Sequence, residues 1–342
     1  MTKAPLKVDR DQILAFRRRV QALDERLPMS ARSLRVAAWA GIQDSMPRAA
    51  VLAIHARVAG TEPETWADPA LAQIWGPRFS AFVVPAQDVP IFTVGRYPDD
   101  ARGRRVAEDM AAKVADHLQG RRLTDRAISA ATGLGNGMRY GTTTGTLRIR
   151  WEGARAPLVW TVPRPEISPL DARIELARRF LHVFGPSKEA AFAHWAGVGA
   201  AQGREAFDRL AGDRGGLVAV RTPIGDGWLL ATDEVDMRAK PGPTAPARFL
   251  PSGDPFYMFW GADRELLVPD ATRRAELWTS RVWPGALLVD GQISGVWRRA
   301  GPDVTIDPWR RMTASERLAV ESDAATMPLP GLKRPIRVRW PD

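Results

Sequence analysis

The residues best suited to chemistry in this chain stand together as Gln43-Asp44-Ser45, inside "GIQDSMPRAAVLAIHARV" (41–58). An amide, a carboxylate and a hydroxyl in a row can hold a water molecule and draw a proton from it. Gln43 orients water through its carbonyl and amide, Asp44 is the stronger base, and Ser45 holds water. The same triplet has a structural use. Asp44 and Ser45 precede Pro47, which suits a first helical turn, and then an amphipathic run with Val51, Ile54 and Val58 on one face. Both are preferred helix N-caps. A helix N-terminus also binds phosphate, so the triplet can steady an anion with no reaction at all. Residue types alone leave the cap and the catalytic site both open.

Other routes to catalysis are missing. With no Cys there are no disulfides, thiolate ligands or thiol nucleophiles. The four His, at 55, 117, 182 and 194, lack metal-binding spacing, and no His-Glu-x-x-His occurs. We therefore expect neither a metal nor a cofactor. "TGLGNGMRYG" (132–141) follows a helical run where a dinucleotide loop follows a strand, and it lacks the Lys-Ser/Thr of a phosphate loop. It reads as a flexible turn into a hairpin. Gly-x-Ser-x-Gly is absent too.

Charge points to a partner. The net charge is +10, and only six of the 49 cations are Lys. Arg gives planar, bidentate contacts to phosphate, so a polyanion is expected. Arg48 and Arg57 flank the triplet's helix; Arg139, Arg148, Arg150 and Arg221 lie near hairpins; Arg298 and Arg299 end a C-terminal hairpin. Some of this set should line a phosphate-tracking face. The Trp residues at 151, 160, 195, 228 and 297, and "DPFYMFW" (254–260), are expected in the core instead of stacking on bases. No apolar run approaches the ~18 residues of a membrane span. The first residues, "MTKAPLKVDRDQ", have no apolar signal core. The expectation is a cytoplasmic protein.

The elements that must position these residues follow a repeating order. A helix from 10 to 26 starts at a capping box, Asp9 with Gln12. A second is expected over 31–42 and a third from Pro47 to Gly60, followed by "FSAFVVPA" and "VPIFTVGRY" as strands. Helices then a strand pair is the outline of a winged helix. It recurs with "DDARGRRVAEDMAAKVADHL", "RLTDRAISAAT" and the arms "GTLRIRWEG" and "PLVWTVPRP". A third copy runs through "PLDARIELARRFLHVF", "SKEAAFAHWAG" capped by Ser187, "AAQGREAFDRLAG" and a hairpin turning near Asp226-Gly227. A Pro/Ala/Gly-rich linker (238–248) leads to a β-rich end: "GALLVDGQISGVWRR" with Asp290-Gly291 at its tip, a helix near 313–323 and a basic strand, "RPIRVRW". The fold class read from this is α+β: tandem winged-helix units at 1–98, 99–165 and 166–238, then a β-rich domain at 249–342.

These segments, in this order, resemble the winged-helix family that includes the AlkZ/YcaQ-type DNA glycosylases. The resemblance rests on "GIQDSMPRAAVLAIHARV", "WGPRFSAFVVPAQD", "ARRFLHVFGPSKEAAFAHWAGV", "FLPSGDPFYMFW" and "LLVDGQISGVWRR", and spans about residues 10 to 300. It implies three winged-helix units and a β-rich domain around a concave basic face. It implies a monomer that binds double-stranded DNA and cleaves the N-glycosidic bond of alkylated or crosslinked purines. Gln43 matches the first Gln of the family's motif. Ser45 stands where the family has Gln or Asp, Asp44 fills the variable middle position, and Phe82 stands where a His is common.

Hydrolysis of that bond passes through an oxocarbenium-like sugar. A purine alkylated at N7 is already cationic and leaves without protonation, so an amide that holds water suffices. Gln43 would position the water, and Asp44 or Ser45 would complete the site. The alternative is a DNA-binding protein without catalysis, a regulator or a lapsed relative. The chain has no sensor domain and no long heptad for pairing, which favours lesion recognition; Ser45 pulls the other way. A protein-interaction module is a third class, against which the basic charge argues.

Overall fold

The computed structural model describes residues 4–44, 48–152, 155–212, 216–332 and 334–341. It is a mixed α+β structure. Its first part comprises β1 (Leu6–Lys7), α1 (Arg10–Val20), α2 (Ala31–Ala37), β2 (Ile42–Gln43), α3 (Ala49–His55), β3 (Leu71–Trp75), β4 (Ala81–Pro85) and α4 (Val89–Val94). The capping box at Asp9 and Gln12 is present in both directions. α1 stops at Val20, short of residue 26, where Ala22 turns to φ 52°. The strands order β2-β4-β3. Ile42 and Val83 on one face of this sheet meet Leu34, Ala50, Ala53 and Ile54 of α2 and α3.

Two expectations fail here. "VPIFTVGRY" contains a helix, α4, with Pro in its first turn and Thr93 Oγ1 bonded to the Val89 carbonyl. Val89, Phe92 and Val94 are buried, a helical spacing that its β-branched content hides. The true partner of β4 is β3, "LAQIW", passed over because Gln73 breaks its apolar run.

The next part comprises α5 (Ala101–Leu118), β5 (Leu123–Thr124), α6 (Asp125–Thr132), β6 (Leu147–Arg150) and β7 (Leu158–Thr161), with sheet order β5-β7-β6. The glycine-rich stretch expected to be a flexible turn is largely a 3-10 helix, Gly135–Thr144. Thr142, Thr143 and Thr144 each bond a carbonyl three residues back, which holds the tight winding.

The third part comprises α7 (Pro169–Phe184), α8 (Glu189–Ala196), α9 (Ala200–Gly212), β8 (Leu217–Thr222), β9 (Gly225–Leu230) and α10 (Glu234–Arg238). Gly197 ends α8 at φ 72°. The N-cap of α8 is Lys188, and Ser187 instead exchanges backbone hydrogen bonds with Trp228 at 3.0 and 2.8 Å. The hairpin turns at Pro223-Ile224, because Arg221 pairs with Asp226 and Val220 with Gly227. β1 crosses from the start of the chain to run parallel with β8.

The last part comprises β10 (Ala247–Leu250), α11 (Asp263–Leu267), α12 (Ala271–Leu277), β11 (Gly285–Val289), β12 (Gln292–Ala300), β13 (Asp303–Pro308), α13 (Ala314–Ala325) and β14 (Arg337–Arg339). Its sheet runs β10-β11-β12-β13-β14. The β11–β12 hairpin turns on Asp290 (φ 50°) and Gly291 (φ 74°), the positive pair a type I′ turn requires.

One core joins the first, third and last parts, while the second part packs its own, around Val114, Leu118, Ile128 and Val159, onto Trp75 of β3. The shared core includes Leu14 and Phe82 from the first, Phe180, Phe184 and Trp195 from the third, and Phe256 and Val296 from the last. The tip of the β3–β4 hairpin is partly buried against the second, third and last parts. Phe79 meets Tyr140 in a tilted ring contact at 4.6 Å, Arg78 lies over Trp260 at 4.2 Å, and Arg96 bonds the Ala196 and Trp75 carbonyls.

Candidate active site

Strand alternation separates the triplet's first two members. Gln43 pairs with Phe82 across the sheet. Its side chain is half-buried against the loop after β10, where a Cβ on Gly253 would lie 3.3 Å from Gln43 Cδ and Oε1. Gly253 holds φ 76° there, so a side chain at this position meets both crowding and strain.

Asp44 is 1% exposed and is turned toward α3. Its Oδ1 accepts the amide of Ala50, the second residue of α3, at 3.0 Å. Its Oδ2 accepts from Gln73 Nε2 at 3.3 Å and lies 3.8 Å from Arg48 Nη1. Burial pushes the carboxyl up to about 6, against the pull of the Ala50 amide, Arg48 and Gln73. Expected as a base facing the substrate, Asp44 is here buried and satisfies the second amide of α3, whose N-cap position is Arg48. Ser45 and Pro47 lie outside the described residues.

Gln73 and Arg48 tie this strand end to the second part. Trp151 donates its amide to Gln73 Oε1 at 2.5 Å, and its carbonyl accepts from Gln73 Nε2 at 3.2 Å and Arg48 Nη1 at 3.1 Å. Arg48 also covers the Trp66 ring at 3.7 Å, and Arg150 approaches that ring at 5.0 Å. Arg48 is thus engaged within the protein.

Arg57 is a second correction. It is 1% exposed, with both terminal nitrogens 2.8 Å from the Asp254 carboxylate and further bonds to Gln21 and the Ala53 carbonyl. Enclosed in this way, it cannot reach a phosphate. It anchors the loop that carries Gly253, and so bears on Gln43 indirectly. Sequence reasoning missed Gln73, Gly253 and Asp254 as supports of Gln43 and Asp44. "SGD" was visible as part of a motif, but its contact with residue 43 is set by long-range packing.

The remaining arginines divide. Arg139 and Arg148 are half-buried and bond the Phe79 and Gly145 carbonyls. Arg150 is exposed and pairs with Glu152 at 2.9 Å; Arg221 is exposed and bidentate to Asp226 at 2.8 and 2.9 Å. Arg298 and Arg299 are exposed at the end of β12. Among the named tryptophans, Trp195 and Trp297 are core residues, Trp151 and Trp160 are half-buried, and Trp228 is 37% exposed. No helix of the described residues is long and apolar enough to cross a membrane.

Similarity to known proteins places this chain among the DNA glycosylases, with a role in DNA repair. Residues 36–327 match the family described as DNA glycosylase AlkZ-like, and the chain belongs to that family. The solved structure of Streptomyces sahachiroi DNA glycosylase AlkZ is similar, with a TM-score of 0.78 over 98% of this chain and 100% of that one. Sequence identity to it is 17%, so this likeness speaks for the fold. No curated protein matches the sequence.

Proposed function

We propose that the protein is a monomeric, monofunctional glycosylase of the cytoplasm and nucleoid that hydrolyses the N-glycosidic bond of alkylated or crosslinked purines in double-stranded DNA. We read its scaffold as three winged-helix units followed by a β-rich domain. Each of the first two parts sets helices before a hairpin, with a short early strand beside its second arm. In the third, Ser187 takes that strand's place against β9.

The observation that carries the catalytic reading is the opposed placement of Gln43 and Asp44. The amide lies close against Gly253, and the carboxylate is engaged elsewhere by the Ala50 amide of α3. Gln43 orients a water below the sugar. As the bond from C1′ to the base nitrogen breaks, its electron pair neutralises the cationic N7-alkylated purine, which leaves without a proton. The water oxygen bonds C1′, and its extra proton passes to solvent. An amide meets this demand, since no strong acid is needed.

The test is release of N7-methylguanine from a duplex. Wild type should release the base, and Gln43→Ala should be slower by about 100-fold at unchanged DNA affinity, as expected when the attacking water loses the group that positions it. Equal rates in the two proteins would remove Gln43 from the mechanism. Ser45, standing where the family has Gln or Asp, favours a second reading, a DNA-binding protein without catalysis. Salt-dependent duplex binding with no release, including from a bulkier crosslinked lesion, would establish it.

A further inference from the structure

Three third-position segments compete for a DNA contact, one in each of the first three parts. α3 is buried along its whole length, so it cannot enter a groove. α9 interleaves Arg204 and Arg209 with Glu205 and Asp208, and Arg209 lies 3.9 Å from Glu205. Its surface is close to neutral. The 3-10 segment Gly135–Thr144 differs from both. It lines an open concavity of about 730 Å3 together with Arg126 and Ser129 of α6, Trp151 and Arg155.

Arg126, Arg139 and Arg155 face this space, against one acid, Asp125. Among the described residues no ion pair involves any of the three arginines. Gly133 and Gly135 beside it hold φ 71° and 53° with nothing within 4 Å of where a Cβ would stand. Backbone and ligand can approach closely there. A smaller cavity of about 190 Å3 shares Asp125, Arg139 and Trp151 and continues to Ser80 and Ala81. The Ala81 carbonyl accepts the backbone amide of Asp44 at 2.8 Å. The concavity therefore opens onto the strands that carry the candidate site.

We infer that this concavity is a subsite for backbone phosphates of the bound DNA strand, gripped by Arg126, Arg139 and Arg155. The inference rests on the DNA glycosylase reading and adds which unit holds the strand. Guanidinium groups without acid partners fit phosphodiester oxygens bidentately. The openness of the space suits a strand passing through.

Arg126→Ala, Arg155→Ala and the double variant test it; both residues are exposed, so folding is preserved. Arg209→Ala in α9 is the control. Fluorescence anisotropy of an undamaged duplex and of one carrying N7-methylguanine is followed across a salt series, with base release measured alongside. The double variant should bind about tenfold more weakly near ~100 mM salt, and its log K against log salt slope should fall by about 0.9 per arginine removed. Affinity and slope equal to wild type, or an equal loss in Arg209→Ala, overturn the subsite. If the arginine variants lose affinity while wild type releases no base, the subsite stands and the glycosylase reading on that lesion fails.

Discussion

Asp44 shows how one buried atom pair decides between two readings of the same residue. Cap and base are both plausible for a carboxylate before a helix, and the sequence does not choose. The Ala50 amide and Gln73 weigh toward the structural role, because they take up the oxygens of a carboxylate that is only 1% exposed. Burial has a measurable consequence. The carboxyl is raised from 3.8 to about 6, so the folded chain binds this proton more tightly than the unfolded chain does. The group therefore favours folding below about pH 4, and that contribution is lost as pH rises through about 6. Against Asp44→Asn, wild type should lose ~3 kcal/mol of relative stability across that window, measured by denaturant unfolding at a series of pH values. A difference that stays flat from about pH 4 to 6.5 would mean the carboxyl titrates normally and is not enclosed as described.

At the scale of elements, the loop after β10 is where the first and last parts of the chain meet. Arg57 and Asp254 form a buried, bidentate pair with 2.8 Å contacts, and Asp254 also accepts the Phe256 amide at 2.9 Å. Removing one partner leaves the other charged and dry. Arg57→Met should cost about 3–5 kcal/mol. Adding Asp254→Asn, which keeps the Phe256 cap, should recover much of that. Urea unfolding of the single and double variants decides, and equal losses in both would mean that the ion pair itself carries the stability.

This junction also marks the limit of what the sequence made legible. Elements with local signals were readable: α1 from its capping box, α7 from its period, β11–β12 from Asp290-Gly291. Elements defined by distant partners were not. β3 hides because Gln73 is polar for the sake of Trp151, 78 residues on. α4 looks like a strand because its β-branched residues pack as a helix on α7. Gln43 is identifiable from its motif, but Arg57, expected beside the triplet as a candidate phosphate contact, is drawn inside by Asp254, 197 residues on.

For the whole molecule, the shared core bears on whether the units inferred from sequence stand alone. Boundaries near 98, 165 and 238 cut the chain where its patterns change, yet packing does not respect them. β1 completes a sheet with β8, the β3–β4 tip is covered by Tyr140 and Trp260, and the main core runs from Leu14 to Val296. His55 of α3 reaches Thr326 at 3.0 Å, and Arg26 bonds both the His55 carbonyl and Asp323. A piece such as 1–98 would expose the Phe82 and Phe92 face that the third and last parts cover. At roughly 25 cal/mol per Å2 of apolar surface, that exposure works against the marginal stability of a small domain. The full chain should therefore unfold in one transition, with calorimetric and van't Hoff enthalpies equal and with Trp fluorescence and helical circular dichroism changing together. The fragment 1–98 should be unfolded by circular dichroism. Two resolved transitions, or a folded fragment, would mean that the parts are independent domains and that Gly253 reaches Gln43 through a docking contact instead of a common core.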